Sequence, residues 1–139
     1  MIKELEKDLN IKFNDINLLQ RALTHRSFLN ENRSVDKSNE RLEFLGDAVL
    51  ELIVSDYLYR EYSERPEGDL TSFRSAIVRT ESLAQASREL GYGKYLRMAK
   101  VEEESGGRDK DYILANTFEA VLGAIYIDQG YQPCKKLVT

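Results

Sequence analysis

The chain has 139 residues, 42% of them hydrophobic and 32% charged, a size and apolar content that suit one folded domain around one core. Its single cysteine excludes a disulfide framework and a cysteine-ligated zinc site, and its net charge of −4 argues against a protein that wraps nucleic acid in a basic surface. No long uncharged apolar run is present, and the first ten residues are half charged. We therefore expect one domain over residues 1–139, in a cytoplasmic protein without membrane association.

Helical spacing and capping residues recur along the chain, and no segment indicates a strand, so we predict an all-α fold. Two short helices are expected at 2–9 and 15–25, the second capped by Asn14 or Asp15. A long helix should begin at Ser38 or Asn39 and run to about Tyr62, and another should run from Asp69 or Thr71 to Leu90. A further helix is expected at 110–128, followed by a helical fragment near Pro133. A polar loop at 30–38 precedes the long helix. Gly91 and Gly130 are predicted to end helices.

The long helix carries a stripe of carboxylates. Four acidic side chains share an arc of about 80° at helical spacing, and no Lys or Arg falls within it: Glu40, Glu43, Asp47 and Glu51. The apolar face is predicted elsewhere on the same helix, at Leu42, Leu45, Val49, Leu52 and Ile53. Phe44 lies beside the stripe. The stripe is either a solvated acidic face or part of a cation site.

Glu119 is the only charged side chain between residues 112 and 127, within a run that should be buried. A buried carboxylate is costly unless it is paired with a cation or binds metal. One explanation is a salt bridge to Arg41 or Arg74. The other joins Glu119 to further oxygen donors, because Asn116 lies one turn earlier on the same helix.

Combining the two helices gives a candidate metal site of four hard oxygen donors, the type that Mg²⁺ or Mn²⁺ prefers: Glu43, Asp47, Asn116 and Glu119. Metal ions held by carboxylates promote displacement at phosphorus. Residues 70–100 contain six basic and two acidic residues, and this segment could bind a polyanion. A helical Mg²⁺ enzyme that acts on small phosphates also fits these features.

Several segments resemble the ribonuclease III family. The segment at 39–59 is similar to the signature helix of that family: NERLEFLGDAVLELIVSDYLY. Further similarity lies in ALTHRSF at 22–28, EGDLTSFRSAIVRTESLA at 67–84 and SGGRDKDYILANTFEAVLGAIYID at 105–128. The resemblance covers nearly the whole chain. It implies an all-helical endonuclease domain that dimerises and cleaves double-stranded RNA with Mg²⁺, for which Mn²⁺ can substitute. The products would carry 5′-phosphate and 3′-hydroxyl ends, in the processing of rRNA, mRNA or small RNA.

The resemblance also implies roles for individual residues. Asp47 and Glu119 would be the catalytic pair, and Glu43 a further metal ligand. Glu40 and Glu67 would lie near the scissile phosphate. Phe44 resembles an aromatic residue that inserts into the partner subunit.

The sequence departs from the family pattern at Asn116, where an aspartate is usual. The amide keeps an oxygen ligand but removes one negative charge, so we expect metal to bind, though more weakly. The family usually continues into a double-stranded-RNA-binding domain, and we expect that domain to be absent from this chain. The alternative function is a noncatalytic family member that binds structured RNA, which Asn116 supports.

Other notable side chains receive structural interpretations. We expect His25 to be a hydrogen-bonded structural residue rather than a general base, and Cys134 to be an ordinary thiol near a frayed end. Tyr57, Tyr59 and Tyr62 are interpreted as aromatics of the core and the dimer edge, because paired bases are not available for stacking.

Overall fold

The structure is a computed structural model, and it describes residues 2–139. Over that range it contains eight α-helices: α1 Ile2–Leu9, α2 Ile16–Ala22, α3 Glu40–Glu61, α4 Glu67–Val78, α5 Thr80–Glu89, α6 Lys100–Glu104, α7 Asp111–Gln129 and α8 Tyr131–Val138. Three short 3₁₀ segments lie at Arg26–Asn30, Tyr92–Tyr95 and Gly107–Asp109. Extended pairing in this range is confined to one isolated bridge between Thr24 and Arg97. The all-α prediction is confirmed.

Local chemistry explains where several helices begin and end. The Asp15 carboxylate accepts a hydrogen bond from the Asn17 backbone N–H, which confirms Asp15 as the cap of α2. Gly91 and Gly130 have φ values of 74° and 87°, and both follow helix ends as predicted. Asn39 precedes α3, but its buried amide donates to the Ala22 carbonyl instead of capping the helix.

Two helix predictions were wrong in detail, and one helix was missed. The single helix expected to end at Leu90 is two helices, because Arg79 is extended, with φ −66° and ψ 157°. The Ser82 hydroxyl donates to the Ala76 carbonyl across this break. The helix expected to reach residue 25 ends at Ala22, since the following residues pair with the segment around Arg97. The five-residue helix α6 was not predicted.

Helix α7 forms the centre of the molecule, packed against α3, α5 and α2. Eleven of its residues are buried, between Ile113 and Ile125. A Cβ atom added at Gly46 would overlap the Glu119 carbonyl oxygen, and one added at Gly123 would overlap the Leu42 carbonyl oxygen. Glycine at both positions therefore lets the α3 and α7 backbones touch where they cross.

The close crossing also changes which side of α3 is buried. Leu52, predicted to face the core, is 57% exposed, whereas Leu50 and Val54 are buried. Gly46 lies at the centre of the buried face, so the core side of α3 is rotated towards α7.

Cys134 is fully buried in α8, which corrects the expectation of a thiol near a frayed end. Over residues 2–139, no helix combines the length and apolarity that a membrane crossing requires.

Candidate active site

Two carboxylic side chains meet at the α3–α7 crossing. Asp47 follows Gly46 on α3, and Glu119 is the α7 residue whose backbone carbonyl touches Gly46. Burial is the largest cause that raises the pKa of Glu119 to about 9, followed by a hydrogen bond with Asp47 and the charges of Asp47 and Glu43. Without a metal ion, Glu119 therefore holds a proton at neutral pH.

Glu43 lies one turn before Asp47 and is half-buried. Its pKa is raised above the usual value, first by burial and then by the charges of Glu40 and Asp47. The repulsion that the stripe predicts is therefore present in the folded chain.

No basic side chain neutralises this cluster. Among residues 2–139, neither Asp47 nor Glu119 forms an ion pair, and Arg41 forms none with them. Arg74 instead pairs with Glu51 at 3.1 Å and donates to the Ser55 hydroxyl at 2.9 Å. The salt-bridge explanation for Glu119 was wrong, because α4 places Arg74 beside a later turn of α3.

The donor set fits a hard divalent cation. A buried carboxyl group that holds a proton, lies beside another carboxylate and has no counter-cation can bind a metal ion in place of that proton. In the part of the chain that the structure describes, no three acidic, histidine or cysteine side chains already converge on one point. The crossing fixes the backbones that carry Asp47 and Glu119, the two carboxyl groups nearest to each other across the helices.

A polar cavity of about 690 Å³ opens beside the carboxylate pair. It includes three predicted site residues, Glu40, Glu43 and Asn116. Its other walls come from the 3₁₀ segment after α2 and from α6 and the start of α7: His25, Arg26, Ser27, Asn30, Asn39, Glu102, Tyr112 and Ile113. Glu102 and Tyr112 were not predicted to belong to the site. Their only signal was the motif SGGRDKDY, which begins three residues after Glu102 and ends at Tyr112.

Glu67 lies away from this cavity. It is the first residue of α4, accepts a hydrogen bond from the Thr71 hydroxyl at 3.0 Å, and lines a separate depression with Ser55 and Tyr59. Ser55 is twelve residues beyond Glu43 on α3, which is about 18 Å at the α-helical rise. Glu40 and Glu67, both expected near the scissile phosphate, are thus separated within one chain.

Phe44 is 82% exposed. It borders a groove of about 780 Å³ that also includes Leu29, Leu45 and Ile127. Tyr59 is strongly exposed, and Tyr57 and Tyr62 are partly exposed, so these tyrosines lie outside the core. The exposed ring of Phe44 beside this groove is available to a partner surface.

Comparisons with known proteins identify the family of this chain. A family model described as Ribonuclease-III-like matches residues 15–139. Proteins named Ribonuclease 3 from Lactococcus lactis and Enterococcus faecalis are 53% and 52% identical over 98% and 97% of the chain. The chain spans 59% of the length of each.

Solved structures give the same result. The nuclease domain of ribonuclease III from Campylobacter jejuni, with structural flexibility in a region involved in dimer formation, superimposes with a TM-score of 0.92. It is 42% identical, over 99% of this chain and 92% of that one. Dicer from Pichia stipitis is 30% identical, with a TM-score of 0.64 over 89% of this chain and 52% of its own. The chain belongs to the ribonuclease III family.

Proposed function

We propose that this chain is a Mg²⁺-dependent endoribonuclease domain that hydrolyses phosphodiester bonds in double-stranded RNA. The products would be 5′-phosphate and 3′-hydroxyl ends, in the processing of rRNA, mRNA or small RNA. The observation that carries the proposal is the Asp47–Glu119 pair, held across touching helices without a neutralising cation. Residues 1–139 would act as one domain. The expectation of a cytoplasmic location stays a prediction.

The proposed chemistry assigns a task to each donor. Asp47 and Glu119 would hold the metal, while Glu43 and Asn116 would complete its ligands from the adjoining cavity wall. When bound by these residues, Mg²⁺, or Mn²⁺ in its place, would supply polarisation of a phosphate oxygen and activation of water at neutral pH. Glu119 would give up its proton on metal binding and remain ionised during the reaction. Glu40, at the exposed rim of the cavity, would contact the RNA backbone.

Duplex cleavage further suggests a homodimer. One carboxylate cluster serves one strand, so a staggered cut in two strands is most simply made by two clusters related by a two-fold axis. Phe44 would enter the partner subunit. Glu67 would contact the duplex away from the carboxylate pair of its own chain, consistent with its place beside a later turn of α3.

The direct test is Glu119→Gln, which keeps the shape of the side chain and removes its ability to ionise. We expect at least a hundredfold loss of duplex cleavage in Mg²⁺ with the helical circular-dichroism spectrum retained, because oriented charge on the metal ligands dominates this chemistry. Retention of full activity would contradict the assignment of Glu119. Nucleoside triphosphates without RNA are the control substrate, since their hydrolysis would support an enzyme of small phosphates instead.

Asn116 favours one second candidate, a noncatalytic protein that binds structured RNA. The amide removes a charge from the set that would hold the metal. Binding of an RNA duplex without cleavage in either Mg²⁺ or Mn²⁺ would support this candidate. The retention of Glu40, Glu43, Asp47, Glu67 and Glu119 in one chain argues against it, because binding alone does not require a set of mutually repelling acids.

A further inference from the structure

His25 has a fixed orientation at the wall of the cavity. The Ser27 backbone N–H donates to His25 Nδ1 at 3.2 Å, and the Ser27 hydroxyl oxygen lies 2.8 Å from the same nitrogen. That hydroxyl also accepts a hydrogen bond from the Ala99 backbone N–H at 2.9 Å. Ser27 thus holds the ring from one side and ties it to the segment before α6.

These contacts assign the proton position on the ring. The geometry makes Nδ1 the acceptor of the Ser27 backbone N–H, and with this assignment the neutral ring carries its proton on Nε2. Burial lowers the pKa of His25, against the smaller opposing effect of Glu102, which agrees with a neutral ring. Within residues 2–139, Nε2 has no hydrogen-bond partner. His25 therefore presents one N–H donor to the cavity.

The other cavity groups indicate which ligand atom this donor meets. Three carboxylates line the same space as the guanidinium of Arg26: Glu40, Glu43 and Glu102. Lys110 pairs with Glu102 at 2.8 Å, whereas Glu40 and Glu43 form no ion pair among residues 2–139. A phosphate placed at His25 would be repelled by Glu40 and Glu43. A sugar hydroxyl is neutral and can accept from Nε2–H while it donates to a carboxylate, so it satisfies both kinds of group.

We propose that His25 donates a hydrogen bond from Nε2 to a ribose 2′-hydroxyl beside the scissile phosphate, and so helps the site to select RNA over DNA. This inference rests on the proposed function, because the cavity reaches the metal-binding wall through Glu43 and Asn116. His25 would be a specificity-determining residue, and it would take no part in moving the proton of the attacking water.

The test combines two variants with modified substrates. His25→Ala removes the donor, and His25→Gln keeps an N–H group at a similar reach. Each is compared with the unmodified chain in single-turnover cleavage of an RNA duplex and of duplexes with one 2′-deoxynucleotide at each position near the cut. For the unmodified chain, we expect one deoxy position to reduce the rate about fivefold to tenfold, as the loss of one neutral hydrogen bond does.

The result that supports the proposal is loss of this discrimination in one variant alone. His25→Ala should cleave the all-RNA duplex about fivefold to tenfold more slowly than the unmodified chain, and the deoxy substitution should not slow this variant further. His25→Gln should show most of the discrimination between the two duplexes that the unmodified chain shows. If the two effects multiply in His25→Ala, the ring does not contact that hydroxyl and the proposal is overturned. Absence of RNA cleavage by the unmodified chain would instead overturn the proposed function, and this inference with it.

Discussion

Glu119 is an acid whose environment opposes its charge. Burial and the neighbouring carboxylates raise its pKa to about 9 from an ordinary value of 4.5. Between these two values the folded chain binds one more proton than the unfolded chain. Stability of the metal-free protein should therefore fall as the pH rises through this window.

This linkage gives a prediction for metal-free protein. In chelator, the free energy of unfolding should decrease from pH 5 to pH 9, and Glu119→Gln should flatten the decrease because the variant cannot lose that proton. Mg²⁺ should stabilise the unmodified chain most at the alkaline end, since it binds the ionised form. Urea unfolding at several pH values measures each slope. Equal slopes for the two proteins would show that Glu119 does not carry the effect.

The sequence identifies Glu119 as unusual because it is the sole charge in an apolar run, and this needs only helical spacing. The partner of Glu119 is a tertiary property. Arg74 was a reasonable salt-bridge candidate until the packing of α4 placed it against Glu51. The same limit applies to His25, because its contact with Ser27 is local, whereas Ala99, which holds the Ser27 hydroxyl, is 72 residues from Ser27 in sequence.

At the scale of elements, the α3–α7 crossing determines where the carboxylates lie. Gly46→Ala places a methyl group against the Glu119 carbonyl, so the helices must separate. We expect destabilisation of more than about 2 kcal/mol, because the overlap exceeds the gain of about 1 kcal/mol in helix propensity. Activity should fall as well, since Asp47 and Glu119 would move apart.

Gly68→Ala is the matched control for this prediction. Gly68 is also helical, has no heavy atom near an added Cβ, and lies far from the crossing on α4. We expect a change within about 1 kcal/mol, neutral or stabilising. Urea unfolding measures both variants. Similar midpoints for the two would show that the crossing tolerates a side chain.

Helix positions were predictable where a cap or a glycine marks the end, as at Asp15, Gly91 and Gly130. They were not predictable where the break depends on packing. Arg79 carries no breaker signal, yet it is extended between α4 and α5. The buried face of α3 was predicted wrongly for a similar reason. A helical-wheel projection assigns Leu52 to the core because Leu52 is apolar, and it cannot show that Gly46 is the point of contact with α7.

For the whole molecule, the exposed Phe44 predicts assembly. If Phe44 forms the proposed dimer interface, Phe44→Asp should convert the dimer into a monomer and reduce duplex cleavage, because a charge would replace its apolar side chain there. Val101→Asp is the control, since Val101 is 76% exposed on α6, away from the Phe44 groove. Sedimentation velocity at micromolar concentration measures the state of each. A dimer that persists in Phe44→Asp would remove this residue from the interface.

The most direct measurement of the central claim is cleavage of a long RNA duplex at low salt, with Mg²⁺ or with chelator, by this chain and by its Asn116→Asp variant. We predict that both proteins cut only with Mg²⁺ and that the aspartate variant reaches half-maximal activity at a lower Mg²⁺ concentration, because it adds a charge to the ligand set. Cutting by the aspartate variant alone would identify this chain as a disabled form. Failure of both proteins to cut would contradict the claim that the α3–α7 carboxylates form a nuclease centre.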